Sequence, residues 1–422
     1  MLHQITKMVQ GRGYLANVLK LAGGTAAAQL LVILVSPLLT RLFTPNDFGL
    51  LAAYTSILSL FVVVASLRYE IAIPLPKKDV NAANLLILSL LIVITITILM
   101  GVVIWAFYDQ LYRRFHFPTF FYWLMPLSFL GAGVYKVLNY WSLRKRNFGI
   151  LARTKFNQSL GLSLTQVSSG IFHSGAIGLM LGDVVGRFGG SGSLAINIWK
   201  NDWKILEKVT LTGIRKVAYR YRRFLLLSSG SSLLNSAGVQ ITPLLLISLY
   251  DSQVAGWYAL GQRVISLPMV LIGQSVSQAY FSEIALMIRD NPQALRGIYL
   301  KTAKNLFRIG VIPIVILIIF GPLLFAKVFG PSWEEAGRYV QILGGMFLVQ
   351  FVVVPLSQTL NVCERQDLQL AWDAGRLILV SFALICPYFL HQSAEWAIIS
   401  YSIAMFVAYI ILFFLSYKVI RV

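Results

Sequence analysis

GTAAAQLLVILVSPLLTRLFTPNDFGLLAAYTSILSL, residues 24–60, recurs in altered form later in the same chain. Residues 230–267 read GSSLLNSAGVQITPLLLISLYDSQVAGWYALGQRVISL. Gly24 aligns with Gly230, Thr25 with Ser231, Gln29 with Asn235, and Pro37 with Pro243. One inserted residue, Ala255, restores register, so Gly49, Ala52, Ser59 and Leu60 meet Gly256, Ala259, Ser266 and Leu267. Each copy is an apolar span with a late proline, a short polar break and a second apolar span. In membrane carriers, repeats of this kind place a substrate site between two halves.

Composition supports the same class. Apolar residues make up 57% of the 422 residues and charged residues 12%, against roughly 25% charged in soluble domains. Apolar runs recur at about the 20 residues a helix needs to span a bilayer. Barrel strands would instead alternate over about 10 residues. The expected fold is therefore an all-α polytopic membrane protein. Twelve spans are expected, near 21–41, 48–67, 83–107, 119–142, 155–172, 176–197, 224–249, 254–281, 305–329, 339–361, 369–389 and 395–416. The internal repeat divides them into two six-helix lobes, residues 1–198 and 224–422, joined by a basic linker, 199–223. Pro268 predicts a kink in the eighth span.

The net charge of +20 is topological. With the N-terminus inside, 27 of the 36 basic residues fall in cytoplasmic segments and five in outside loops. That bias places both termini in the cytoplasm. The linker carries eight of those cations with Trp199 and Trp203, so an amphipathic helix on the inner membrane surface is expected. Anionic membrane lipids are the partner this charge implies, and nucleic acid is not. A cleaved signal peptide is not expected, since Ala26 to Ala28 would cut before the apolar run is complete.

Catalytic motifs are missing. There is no GxxxxGK[ST], HExxH or CxxC, and Cys363 and Cys386 have no metal or disulfide spacing. His116, His173 and His391 fall on separate short outside loops. No metal and no cofactor are expected, and loops this short argue against a sugar-transferring enzyme.

What remains is charge within spans, which defaults to a functional reading. Lys136 and Glu283 lie near inner ends and can snorkel to the interface. Arg68 and Glu70 close the second span, paired with each other or facing an inward cavity. Asp183 and Arg187 are four apart, and Asp373 and Arg376 three apart, so each couple can neutralise itself on one helix. Arg263 has no acid within helical reach on its own span. It lies nine residues into that span, about 14 Å deep in a core about 30 Å thick. Arg187 lies at a similar level. Sugar-facing polar groups include Gln29, Asn235 and Gln274, whose alternative role is helix–helix hydrogen bonding.

Four segments carry a family resemblance: SPLLTRLFTPNDFG after the first span, RYEIAIPLP after the second, LMLGDVVGR in the sixth, and GWYALGQRVISLPMVLIGQSVSQAYF in the eighth. In order and spacing they resemble bacterial oligosaccharide flippases, the polysaccharide-transport branch of the multidrug/oligosaccharidyl-lipid/polysaccharide exporter superfamily. The nearest likeness is to translocases of O-antigen or capsule repeat units. The resemblance implies two six-helix lobes in a V around a central cavity that opens alternately to either side. It implies an undecaprenyl-diphosphate-linked oligosaccharide as substrate, flipped from the cytoplasmic to the periplasmic leaflet of the bacterial inner membrane for lipopolysaccharide or other surface polysaccharide. A polysaccharide polymerase and a chain-length regulator are the further partners it suggests. On this reading Arg263, Arg187, Arg68 and Arg41, with Gln29, Asn235 and Gln274, bind substrate, and Asp183, Glu70 and Asp373 couple transport to an ion gradient. A multidrug or cation antiporter of the same superfamily is the alternative. It would favour a carboxylate-lined site, whereas the midplane here holds two arginines against one aspartate. A membrane polysaccharide polymerase is the remaining rival.

Overall fold

The computed structural model describes residues 23–115, 117–222, 225, 229–290 and 295–420. His3, Lys7, Arg12, Lys20, His116, Arg223 and Arg421 lie outside the described residues, as do the side chains of Arg114 and Arg289.

The described chain is helical. Helix α1 is Gly23–Leu42 and α2 is Pro45–Val63. A 3-10 turn at Tyr69–Ala72 leads to α3 (Asp79–Ala106), the short α4 (Tyr108–Phe115), α5 (Thr119–Arg144), α6 (Phe148–Ile171), α7 (Ala176–Phe188), α8 (Ser191–Leu206) and α9 (Leu211–Arg220). Then come α10 (Ser229–Leu249), α11 (Ser252–Ile265), α12 (Gln274–Asp290), α13 (Leu295–Phe329), α14 (Glu334–Leu356), α15 (Gln358–Val362), α16 (Gln366–Phe389) and α17 (Ala394–Val419). Nine of these among the described residues are long and apolar enough to cross a membrane: α1, α2, α3, α5, α10, α13, α14, α16 and α17. Their outward faces are apolar, with Ile98, Leu99, Ile312, Ile319, Leu323, Phe382 and Phe414 all exposed. The protein is a multi-pass membrane protein, because such faces are stable only where lipid replaces water.

Three further expected spans coincide with less regular helices. The fifth is α6, which is polar along much of its length, with Gln158, Ser163, Gln166 and Ser169. The sixth is broken at Gly189 and Gly190 into α7 and α8. The eighth is broken as Pro268 predicted: α11 stops at Ile265, a wider π-helical turn fills Met269–Gly273, and α12 follows. Proline removes one helical hydrogen bond and crowds the preceding turn, which is why the backbone leaves α-helical register there.

Contacts divide the chain into two compact units. The first takes Met1–Val35 and Ile57–Leu233, the second Ser36–Ser56 and Leu234–Val422. In the first unit α5 lies between α3 and α7, and α7 pairs with α6. Gly178, Gly182 and Gly186 form one stripe of α7. A Cβ on any of them would strike α6, at Ser169, Gln166 or Leu162, so small residues at this spacing allow the close approach. The described part of the linker is largely helical, in the end of α8 and in α9. Asp202 of α8 accepts the Trp141 indole N–H at 2.9 Å and pairs with Lys145 at 3.1 Å. Burial disfavours charge on Lys145, but bonds from Asp79 and Asp202 outweigh it and raise the pKa of its ammonium. Tyr69 donates to the Ala218 carbonyl at 3.0 Å, which ties α9 to the 3-10 turn.

In the second unit α14 is central, against α11, α13 and α17. Gly321 of α13 and Gly337 of α14 face each other, and a Cβ on either would lie 2.5–2.7 Å from the other's carbonyl oxygen. Tyr280, Tyr299, Leu306, Phe351 and Leu356 form a buried core at one end. Helix α13 has 35 residues, about 52 Å against a hydrocarbon core of about 30 Å. Its surplus first turns carry Arg296, Lys301, Lys304 and Arg308. The two repeat copies also meet in this unit. A Cβ on Gly49 would lie 1.6 Å from the Ser252 carbonyl oxygen, and one on Gly256 would lie 1.8 Å from that of Pro45. Gly49 and Gly256 are matched positions, and Pro45 and Ser252 are the first residues of α2 and α11. The two helix starts thus cross reciprocally, with bare backbone at the crossing.

Candidate functional site: an arginine without a carboxylate

The span charges fall into separate groups. In the second unit, Asp251 caps α11 by accepting the Val254 N–H at 2.7 Å. That fixes the start of the helix whose last turn carries Arg263. The Arg263 guanidinium donates to the Ser36 hydroxyl at 3.4 Å and lies over the Phe48 ring at 5.7 Å. Phe48 meets Trp333 edge-on at 4.9 Å, and Trp333 donates to the Thr40 carbonyl at 3.0 Å. An arginine over an aromatic face keeps its charge at lower desolvation cost. Among the described residues no carboxylate lies within 4.0 Å of Arg263. Asp373, in the same unit, forms no ion pair with it.

Asp373 is paired instead with Arg376 at 3.0 Å, both nearly buried. Arg376 also donates to Asn235 at 3.3 Å, stacks over Trp372 at 4.7 Å, and approaches α10 at Gly238, where a Cβ would lie 2.8 Å from its Nη2. Asn235 therefore makes the interhelical hydrogen bond that was its alternative role. Arg41 and Gln274 are exposed.

In the first unit, Arg187 Nε donates to Asp183 at 2.6 Å, and Ser128 donates to the same carboxylate oxygen at 3.2 Å. Glu70 is fully buried. It accepts from Ser66, pairs with Lys136 at 2.9 Å, and lies 3.9 Å from Arg68. The Lys136 ammonium also donates to the carbonyls of Val62 and Val63, at 3.2 and 3.0 Å. It does not merely snorkel: it neutralises Glu70 and sits at the negative C-terminal end of α2. The sequence did not reveal this partner, because 66 residues separate Lys136 from Glu70. Leu67 and Arg68 hold positive φ of 51° and 66°, a conformation that costs non-glycine residues energy and persists only where surroundings enforce it. Gln29 is exposed.

Each candidate acid is thus tied to a cation, and Arg263 has a hydroxyl and a ring in place of a counter-charge. An anion would complete its coordination with charge-assisted hydrogen bonds.

Three solved structures with similar architecture are named as transporters or a flippase. An inward-facing multidrug-resistance transporter of the MATE family matches with a TM-score of 0.72, at 17% identity over 94% of each chain. The lipid II flippase MurJ, in an inward closed conformation, matches at 0.75, with 13% identity over 93% of this chain and 86% of its own. A transporter of the same superfamily from Pyrococcus furiosus matches at 0.64, with 14% identity over 96% of this chain and 95% of its own. The chain shares its fold with these three structures. The profile of the polysaccharide biosynthesis protein family matches residues 38–338, and the chain belongs to that family. The teichuronic acid biosynthesis protein TuaB of Bacillus subtilis (strain 168) is 22% identical over 261 residues, 62% of this chain. The chain spans about half the length of that curated relative, 53%.

Proposed function

We propose that this protein translocates a lipid-diphosphate-linked oligosaccharide repeat unit across the bacterial inner membrane for surface polysaccharide synthesis. Undecaprenyl diphosphate is the expected carrier. The substrate moves from the cytoplasmic to the periplasmic leaflet by alternating access, and both termini are cytoplasmic. O-antigen is one product class the motifs suggest, and teichuronic acid, for which a relative is named, is another. The observation that carries the reading is Arg263, a half-buried guanidinium near the end of α11 with Ser36 and Phe48 but no carboxylate beside it among the described residues. A diphosphate cannot cross hydrocarbon unpaired, and arginine offers a permanent charge with forked donors. In this proposal Arg263 binds the diphosphate, with Arg187, Arg68 and Arg41 as further cations along its route, and Gln29, Asn235 and Gln274 contact sugars. Asp183, Glu70 and Asp373 are the groups proposed to couple movement to an ion gradient. Their ion pairs also count against the antiporter alternative, which needs a carboxylate available to a cationic drug.

The test is complementation of a strain lacking its flippase, with export measured at native expression level. Arg263→Ala should insert and fold but lose export, and Arg263→Lys should retain part. Normal export by Arg263→Ala would move the site elsewhere, with Arg68 next to be tested.

A further inference from the structure

From the first unit we infer a built-in site for one acyl chain of an anionic phospholipid. The site lies beneath α4, and its lining includes none of the residues proposed to bind substrate. A cavity of about 490 Å³ lies among α2, α3, α4 and α5, lined by Phe61, Leu99, Val103, Leu111, Phe121 and Met125 among others, all apolar. Leu111 comes from α4, so this eight-residue helix closes one side of the cavity.

The occupant follows from place and size. Leu99 and Val103 are exposed at the mouth, on a helix of 28 residues that crosses the membrane, so the mouth opens to lipid. An apolar cavity of this kind does not hold water. At about 30 Å³ for a group of roughly water's size, the cavity takes about 16 methylene groups. That is one acyl chain and far less than a long polyprenyl tail.

The headgroup assignment rests on α4. Tyr108 stacks on Tyr112 and Trp123, with centroids 6.0 and 6.5 Å apart, and meets Tyr122 edge-on at 5.8 Å. Such aromatic clusters sit at headgroup depth. Tyr108 and Tyr122 are further held by Thr119 and the Leu111 carbonyl, at 2.8 and 3.0 Å. Arg113 on the same helix is exposed and forms no ion pair among the described residues, with Asp109 one turn before it included. A phosphate above the cavity mouth would meet that guanidinium while its chain fills the cavity.

The test is thermal unfolding of delipidated, detergent-solubilised full-length protein, with bound lipid counted by native mass spectrometry. Phosphatidylglycerol should raise the midpoint more than phosphatidylcholine of the same chains. Arg113→Glu should erase that difference. Leu99→Trp/Val103→Trp, which fills the mouth at two exposed positions, should lose one bound lipid and most of the rise. In the wild type, phosphatidylglycerol with chains half as long should stabilise less, a comparison that needs no variant to fold. An undiminished rise in the double tryptophan variant, or no dependence on chain length, would overturn the site. Displacement of the lipid by polyprenyl phosphate at equal concentration would overturn the occupant.

Discussion

Replacing Lys136 by methionine removes the cation nearest a fully buried carboxylate among the described residues. Glu70 has no exposure, and its remaining partners are the Ser66 hydroxyl and Arg68 at 3.9 Å. Removing one partner of a buried pair costs about 3–5 kcal/mol, because the other charge stays buried without compensation. The Lys136 side chain is 22% exposed and Arg68 compensates in part, so the lower end, about 3 kcal/mol, is the expectation. That lowers the folded-to-unfolded ratio about 100-fold. Glu70→Gln should cost less, since the Lys136 ammonium keeps two α2 carbonyls and some solvent. The double variant should be more stable than Lys136→Met alone, with a coupling of about 2 kcal/mol between the sites. Reversible unfolding in mixed detergent micelles, followed by tryptophan fluorescence, measures all four proteins. A Lys136→Met protein as stable as the wild type would refute the reasoning. So would a double variant that simply adds the two single losses.

Gly49→Ala and Gly256→Ala should each force the crossing helices apart, since the new carbon would sit 1.6 or 1.8 Å from a carbonyl oxygen. Both should show little monodisperse protein on size-exclusion chromatography. Gly101→Ala, with nothing within 4 Å, should behave as the wild type. For topology, single cysteines replacing Lys145 and Lys208 should resist an impermeant thiol reagent in intact spheroplasts, while one replacing Glu334 should label. The background protein lacks Cys363 and Cys386, and labelling at Lys145 or Lys208 would reverse the proposed orientation. Asp183→Asn should fold, because Ser128 and Arg187 can still hydrogen-bond a carboxamide, yet lose gradient-driven export. Unchanged export across pH would leave Asp183 a structural partner of Arg187.

Much of the fold was legible because hydrocarbon imposes a simple rule on sequence. A segment must be long, apolar and internally hydrogen-bonded to span it, so composition and length mark the helices. The break at Pro268 and the ion pairs of Asp183 with Arg187 and Asp373 with Arg376 were legible for the same local reason. They depend on backbone chemistry or on spacing within one helix. Motif order pointed to polysaccharide transport, and the matching family is that of polysaccharide biosynthesis proteins.

Tertiary structure decided whatever depends on segments distant in the chain. The pairing of Lys136 with Glu70 joins α5 to the turn after α2, and nothing in either segment announces the other. Arg263 was visible as a lone cation, but the Ser36 hydroxyl and the Phe48 ring that hold it come from more than 200 residues earlier. The repeat matched Gly49 with Gly256, yet only the folded chain shows each pressed against the first residue of the other copy's second helix. A sequence states which residues can be buried. Which of them meet is fixed by packing, because distant side chains share a contact only after their helices have found a common close approach.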